Sequence, residues 1–506
     1  MNNTAGEPGG TGLRGRLTAA DPSNLIRVTP AEGGFMTNVL ERVESLPAWG
    51  IEPVPERHRS LSGLDLAVLW GDLGIGLLVL VAGALLVPAL GFVEALGAIV
   101  IGSVIGVALL AMGAVAGADH GVPTMVLFRP ILGVRGSWLP SALNAVQLIG
   151  WTAVEFWAMS LVADLVSERV FGFSARGLWL AIAALICTGL ALWGPVGVVR
   201  VWMKRFGAWI IGGVLGLVTI LLLTGDGIGD ALSSPGTGGW PTFGLAVDLV
   251  IAMPISWLPL VADYTRFARR PRSAGVGTFG GYLAANVWLY ALGALIVLSQ
   301  QSAPDPAGIA AGILAIAGGS LAGMLFLVGL LVGETDEAFA DMYSGAVCLQ
   351  NIFPRASQRV LTVGIAIVSV GLAASLTMAA YESFLFLIGS VFVPLFGILA
   401  AEYFVLQRRA IRVADLYRRD GAYWFKGGIR TVALLPWIAG FILYHWIAPV
   451  GPAWWIDGVR AVLGSPVSER IGWLGASVPA FAISFLLALV MPRIPSQPTT
   501  GRIRGD

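Results

Sequence analysis

A succession of apolar runs, most close to twenty residues long and separated by short polar stretches, constrains this chain more than any other feature. A bilayer core about 30 Å thick needs roughly 20 apolar residues per helix, and runs of that length are expected near 63–90, 94–116, 138–166, 177–197, 207–225, 244–266, 276–299, 318–347, 360–379, 381–406, 431–449 and 472–491. A further apolar stretch at 307–317 is too short to span and reads as a re-entrant or surface helix. Composition agrees: 56% of the 506 residues are hydrophobic and 12% are charged, whereas a soluble domain carries about 25% charged residues. The chain is therefore expected to be an all-α polytopic membrane protein with twelve transmembrane helices.

Positive charge sets the orientation. With the N-terminus inside, about 27 of the 31 Lys and Arg residues fall on the cytoplasmic side, leaving Arg169, Arg176, Arg460 and Arg470 outside, as the positive-inside rule requires. Both termini are then cytoplasmic, in a multi-pass protein of the plasma membrane. The expected organisation is a largely disordered tail over 1–60, a ten-helix core over 61–406, a cytoplasmic loop over 407–430, two additional helices over 431–491 and a C-terminal tail over 492–506. The tail is polar and rich in Pro and Gly, with no apolar core segment of the kind targeting needs. Met36 offers a second start beside Met1.

Several classes are excluded or disfavoured. A net charge of +1 gives no field for nucleic acid. No phosphate-binding loop is present, so no direct use of ATP is expected. Cys187 and Cys348 sit alone in apolar runs, and His58, His120 and His445 are scattered, so zinc chemistry and cofactors are not expected. An intramembrane enzyme would need a nucleophile motif that is absent.

Two spans look interrupted. The first contains Gly71, Asp72, Gly74 and Gly76 within six residues. The sixth contains Met253, Pro254, Ile255, Ser256, Trp257, Leu258 and Pro259, and its two prolines remove backbone donors and crowd the preceding turn. Non-helical backbone at membrane depth is tolerated where it faces protein or a watery cavity. Interruptions five spans apart predict a five-plus-five inverted repeat, the arrangement of secondary transporters whose broken helices bind substrate and ion near the midplane.

Ionisable groups inside the spans mark the same region. Glu155 lies four residues after Trp151, which places an aromatic face and a hydrogen-bonding head on one side of the third span, a pair suited to a flat heterocycle. The eighth span carries Glu334, Thr335, Asp336, Glu337 and Asp341. These four carboxylates point in several directions on a helix, and with the hydroxyl they suit either Na⁺ or H⁺ as coupling ion. Glu382 lies nearer an interface, in a gating or structural place. Asp263 is expected to form an interfacial ion pair with Arg266, again a gating or structural role.

The segments GVRGSWLPSALNAVQLIGWTAVE (133–155), MPISWLPLVADYTRFARR (253–270), FADMYSGAVCLQNIFPR (339–355) and YESFLFLIGSVFVPLFGILAAEYF (381–404) resemble nucleobase–cation symporter family one, the family of the purine–cytosine permeases, and most closely its hydroxymethylpyrimidine permease subgroup. IEPVPERHR before the first span is also typical, and the resemblance runs from about residue 50 to 405. It implies the leucine-transporter fold, with a substrate site between the first, third, sixth and eighth spans. It places Trp151 on the substrate ring and Glu155 where relatives carry a glutamine that bonds the ring edge. Met253 to Trp257 fall on the unwound stretch of the sixth span. Asp341 falls where a substrate-binding Asn can sit. Thr335 and Asp336 fall on paired hydroxyls that bind Na⁺ in relatives, and Asp336 is not a hydroxyl, so H⁺ and Na⁺ both stay open. The expected function is import of a cytosine-, purine- or hydroxymethylpyrimidine-type heterocycle with H⁺ or Na⁺ by alternating access. An amino-acid or other organic-cation symporter of the same fold is the alternative.

Overall fold

The computed structural model describes residues 49–193 and 208–492. The first expected span is two helices, α1 (Gly63–Asp72) and α2 (Leu77–Ala84), bent by 60° at the break between them. The others are α3 (Phe92–His120), α4 (Trp138–Phe171), α5 (Arg176–Trp193), α6 (Ala208–Thr224), α7 (Phe243–Trp257), α8 (Val261–Thr265), α9 (Pro271–Gln300), α10 (Pro306–Ile316), α11 (Leu321–Ile352), α12 (Gln358–Ala373), α13 (Met378–Leu399), α14 (Leu434–Ile447), α15 (Ala453–Leu463) and α16 (Ser477–Leu489). Each expected span coincides with a helix or helix pair. Five of these helices are long and apolar enough to cross a membrane unaided, and the bent α1–α2 pair makes a sixth. The 11-residue α15 was not foreseen. It buries no residue, and Trp454 and Val462 lie on its exposed surface.

Local chemistry fixes the ends. Ser62 and Asp65 form a reciprocal capping box at the start of α1, which satisfies two donors that a helix start leaves unpaired. Asp305 caps α10 through the Gly308 N–H, at 2.7 Å, and Pro306 follows at its first position, where a missing N–H costs nothing. Gly121 and Gly172 close α3 and α4 in the left-handed conformation.

The helices pack in two main groups, with α13, α14 and α16 packed on one another as a third. α1, α2, α3, α7, α8 and α9 lie against one another, and α4, α5, α11 and α12 form the second group. Each main group takes matching positions from the first five spans and the next five, as a repeat requires. Glycine lets α9 press onto the broken span: a Cβ at Gly281 would come 2.1 Å from the Ala67 carbonyl oxygen, and one at Gly293 would come 1.9 Å from that of Leu80. Small residues at such contacts let backbones approach where no hydrophobic force joins helices in lipid. Gly71 belongs to this packing, since it faces Gly281.

Two expectations need correction here. The disordered tail does not extend to residue 60. Residues 49–61 pack onto the core, with Val54 1% and Leu61 4% exposed. Arg266 Nη1 donates to the Gly50 carbonyl at 2.6 Å, Tyr417 to that of Ile51 at 2.6 Å, and the segment's own Arg59 Nη1 to that of Ala118 in α3 at 3.2 Å. Leu61 also pairs backbone to backbone with Phe267 and Arg269. Residues 1–48 of the expected 1–60 tail and residues 493–506 of the expected 492–506 tail lie outside the described residues. The second correction concerns the sixth span, which does not unwind. α7 continues through Pro254, a single 3₁₀ turn spans Leu258–Leu260, and α8 completes the span.

Candidate functional site

The site lies where the break of the first span meets α4, α7 and α11. α1 ends at Asp72, and Gly76, in extended conformation, precedes α2. The first N–H of α2, on Leu77, donates to the Glu334 carboxylate. A helix N-terminus carries partial positive charge and unpaired donors, so the break of the first span holds a carboxylate of α11. The approach is tight: a Cβ at Gly76 would come 2.2 Å from Glu337 Oε1 and 2.9 Å from Glu334 Oε1.

Three carboxylates converge here. One oxygen each from Glu155, Glu334 and Glu337 lie within 4.8 Å of one another, and all three residues are buried. Glu334 and Glu337 both lie against Glu155. Asp72 in the first span and Asp336 in α11 are also buried and lie near each other. The four α11 carboxylates therefore divide between a Glu334–Glu337–Asp341 face and an Asp336 contact to the first span.

Beside the triad is an enclosed cavity of about 10 Å³, lined by Trp151, Glu155, Met253, Ser256, Trp257, Glu337 and Asp341. This fixes the register of the sixth span. Met253, Ser256 and Trp257 face the cavity. Pro254 does not, and instead meets α3, where a Cβ at Gly106 would come 2.4 Å from its Cγ. Ile255 is buried but is not among the lining residues. Trp151 packs edge-on against Tyr381 and Phe384, with centroids 6.1 Å and 5.3 Å away. Trp257 meets Trp70 edge-on at 6.1 Å.

The 3₁₀ turn of the sixth span is braced from α4. Gln147 Nε2 donates to the Ser256 carbonyl at 2.6 Å. Asn144 Nδ2 approaches the Pro259 carbonyl at 3.5 Å and Cys348 Sγ at 2.9 Å. Pro259 has no N–H to return to the preceding turn, and these amides meet carbonyls that the shift to 3₁₀ geometry leaves exposed. The Asn–Gln pair ahead of Trp151 thus serves the turn, and Trp151 and Glu155 serve the cavity.

Other expected site residues are not brought in. Gly71 faces α9. The Thr335 hydroxyl donates to the Val332 carbonyl of its own helix at 2.6 Å. Glu382 is half-buried at the start of α13, next to the residue that does reach the site: the Tyr381 hydroxyl donates to the Leu78 carbonyl of α2 at 3.0 Å. The expected ion pair of Asp263 with Arg266 is also corrected. Arg266 Nε bonds the Asp263 backbone carbonyl at 3.2 Å, its Nη2 takes Tyr343 at 3.0 Å, and the Asp263 carboxylate accepts the Thr124 N–H at 3.1 Å. Both residues are 1% exposed or less, and the guanidinium is divided between Gly50, Tyr343 and the Asp263 backbone.

Sequence reasoning missed Tyr381, Phe384 and Leu77, and named Gly76 only as part of the break in the first span. Gly76 and Leu77 had a signal, since a glycine-rich break must be followed by a new helix N-terminus.

A bent first span, two helix groups drawn equally from two halves and buried polar groups at their meeting point define a secondary-transporter fold of the leucine-transporter type. Residues 53–465 match the family described as permease for cytosine/purines, uracil, thiamine, allantoin, and the chain belongs to that family; it is a multi-pass membrane transporter and not an enzyme. It is 26% identical to the hydantoin permease of Microbacterium maritypicum, over 78% of this chain and 83% of that one. It is also 26% identical to the cytosine permease of Escherichia coli K12, over 70% and 77%. Among solved structures, a nucleobase-cation-symport-1 family transporter in a closed conformation with bromovinylhydantoin bound superposes with a TM-score of 0.73, at 22% identity over 88% of this chain and 94% of that one.

Proposed function

We propose that this protein imports a nucleobase-like heterocycle together with a proton, by alternating access across the plasma membrane, with twelve spans, ten of them forming the transport core, and both termini cytoplasmic. The observation that carries this reading is the cavity flanked by Trp151 and Trp257 and edged by Glu155 and Asp341. Aromatic faces take a flat ring by stacking, and carboxylates accept from ring N–H or amino groups. Relatives named for hydantoin and cytosine carry rings of this kind, and hydroxymethylpyrimidine and purines have the same flat shape. A cavity of about 10 Å³ has room for about one water. Its walls must part before a ring can enter, which is what a gated site requires.

The proton is favoured over Na⁺ by two features of α11. Asp336, which the resemblance aligns with a Na⁺-binding hydroxyl, is a buried carboxyl near the buried Asp72. The Thr335 hydroxyl is turned to its own helix. A proton shared by Asp72 and Asp336 would tie the first span to α11, and its release would loosen them. The same oxygens are hard ligands that suit Na⁺, so an imposed sodium gradient is the control.

Competition binding to purified protein in lipid nanodiscs tests the substrate class. Cytosine, hydroxymethylpyrimidine, purines and hydantoins are expected to protect against heat or compete for one site, and free amino acids are not. Displacement by amino acids, with none by any ring, would reassign the protein to an amino-acid or organic-cation symporter of the same fold.

A further inference from the structure

The cavity gathers carboxyl groups for which the chain supplies no cation. Glu155, Glu337 and Asp341 line it, and Glu334 lies against Glu155 and Glu337. Among the described residues, none of the ion pairs involves any of these four carboxylates. The buried guanidiniums are spent elsewhere. Arg129 bonds Asn351 and the Leu416 carbonyl, Arg266 bonds Gly50 and Tyr343, and Arg430 pairs with Glu402 at 2.6 Å. The one backbone donor aimed at the cluster, Leu77 N–H, goes to Glu334. Glu155 Oε2 and Glu337 Oε1 have no hydrogen-bond partner.

A second observation, independent of the acids, marks the cavity as a ligand site. Trp151 lines it at 5% exposure, and its indole Nε1–H has no partner. A buried donor left unsatisfied costs about 1–3 kcal/mol, and a ligand or a water in the cavity would meet it. Aromatic rings also attract cations over their faces, and Trp151 and Trp257 both border the space.

We infer that the transported heterocycle is a cation: a protonated, amino-substituted ring whose positively charged N–H edge faces Glu155, Glu337 and Asp341 and whose face lies against Trp151. This deepens, and rests on, the reading of the site as a heterocycle site. A buried carboxylate needs a partner of opposite charge or a proton, and the chain supplies no cation here. Where a glutamine in place of Glu155 would both donate and accept, the carboxylate only accepts. It therefore selects rings that present donors alone on that edge and opposes neutral rings whose carbonyl oxygen would face it.

The test uses full-length protein in nanodiscs and pairs of rings matched in shape but not in charge: 4-aminopyridine, a cation at neutral pH, against neutral 4-pyridone, with uracil and hydantoin as further neutral probes. Binding is read by calorimetry or by quenching of tryptophan fluorescence. The cationic ring is expected to bind at least about tenfold more tightly than its neutral counterpart, a difference of about 1.4 kcal/mol. Glu155→Gln is expected to bring that ratio to within about threefold. Asp341→Asn is the second variant should Glu155→Gln not fold, and the wild-type comparison stands without either. Equal or tighter binding of the neutral rings by wild-type protein, with the ratio unmoved in the variants, overturns the cationic assignment and leaves the heterocycle reading intact. Binding of no ring of either charge overturns both.

Discussion

At Gly76 an added carbon would collide with the carboxylates of the site. This Cβ would fall 2.2 Å from Glu337 Oε1 and 2.9 Å from Glu334 Oε1, in the backbone turn that presents Leu77 N–H to Glu334. Overpacking of this kind costs about 1–3 kcal/mol. Gly76→Ala is expected to lower substrate uptake by at least about tenfold while the protein still inserts and elutes as a single species. Unchanged uptake would show that the break does not need its close seat on the carboxylates. Gln147 poses a different question. Its amide is bonded to the Ser256 carbonyl at 2.6 Å, and Gln147→Leu leaves that buried acceptor unpaired at a cost of about 1–3 kcal/mol. Thermal unfolding in detergent is expected at a lower temperature, with ring affinity reduced as Met253, Ser256 and Trp257 shift. At this scale the sequence revealed types better than directions. The four-residue spacing of Trp151 and Glu155 put both on one helix face, and both line the cavity. Which of the four α11 carboxylates faced which neighbour depended on the rotation of α11 against α4 and the first span, and no spacing within one segment carries that.

At the scale of elements, apolar run length located the helices, because a span must satisfy its backbone internally and reach across a fixed thickness. What happened inside the spans was less legible. Glycines broke the first span by 60°, whereas prolines in the sixth produced a 3₁₀ turn and not a gap, because Gln147 and Asn144 reach across from α4 to the carbonyls. That compensation lies more than a hundred residues away in sequence. The 49–61 segment was misjudged for a similar reason. Its composition reads as polar and irregular, but its carbonyls meet Arg266 and Tyr417, and its own Arg59 reaches α3. Arg266→Gln removes the guanidinium that joins Gly50, Tyr343 and the end of the sixth span. It is expected to expose the segment, read as faster limited proteolysis between residues 49 and 61. Cleavage at the wild-type rate would mean that Tyr417, Arg59 and the Leu61 backbone pair hold the segment without it.

For the whole molecule, the two helix groups meet at one buried polar centre. The first span reaches both sets of α11 carboxylates, through Leu77 to Glu334 and through Asp72 to Asp336, so changes of charge at α11 act on the element that is already bent. A ligand shifts an equilibrium between two conformations only by its difference in affinity for them. Under the proposed function, a proton at the Asp72–Asp336 pair and a ring at the Trp151 cavity would each favour the state in which the first span is seated on α11. The most direct test is uptake of labelled heterocycle into proteoliposomes under imposed gradients. An inwardly directed proton gradient is expected to drive concentrative uptake that a protonophore abolishes and that Asp336→Asn uncouples, with a sodium gradient alone giving none. Uptake that needs no gradient, or that follows sodium and ignores protons, would contradict proton-coupled symport.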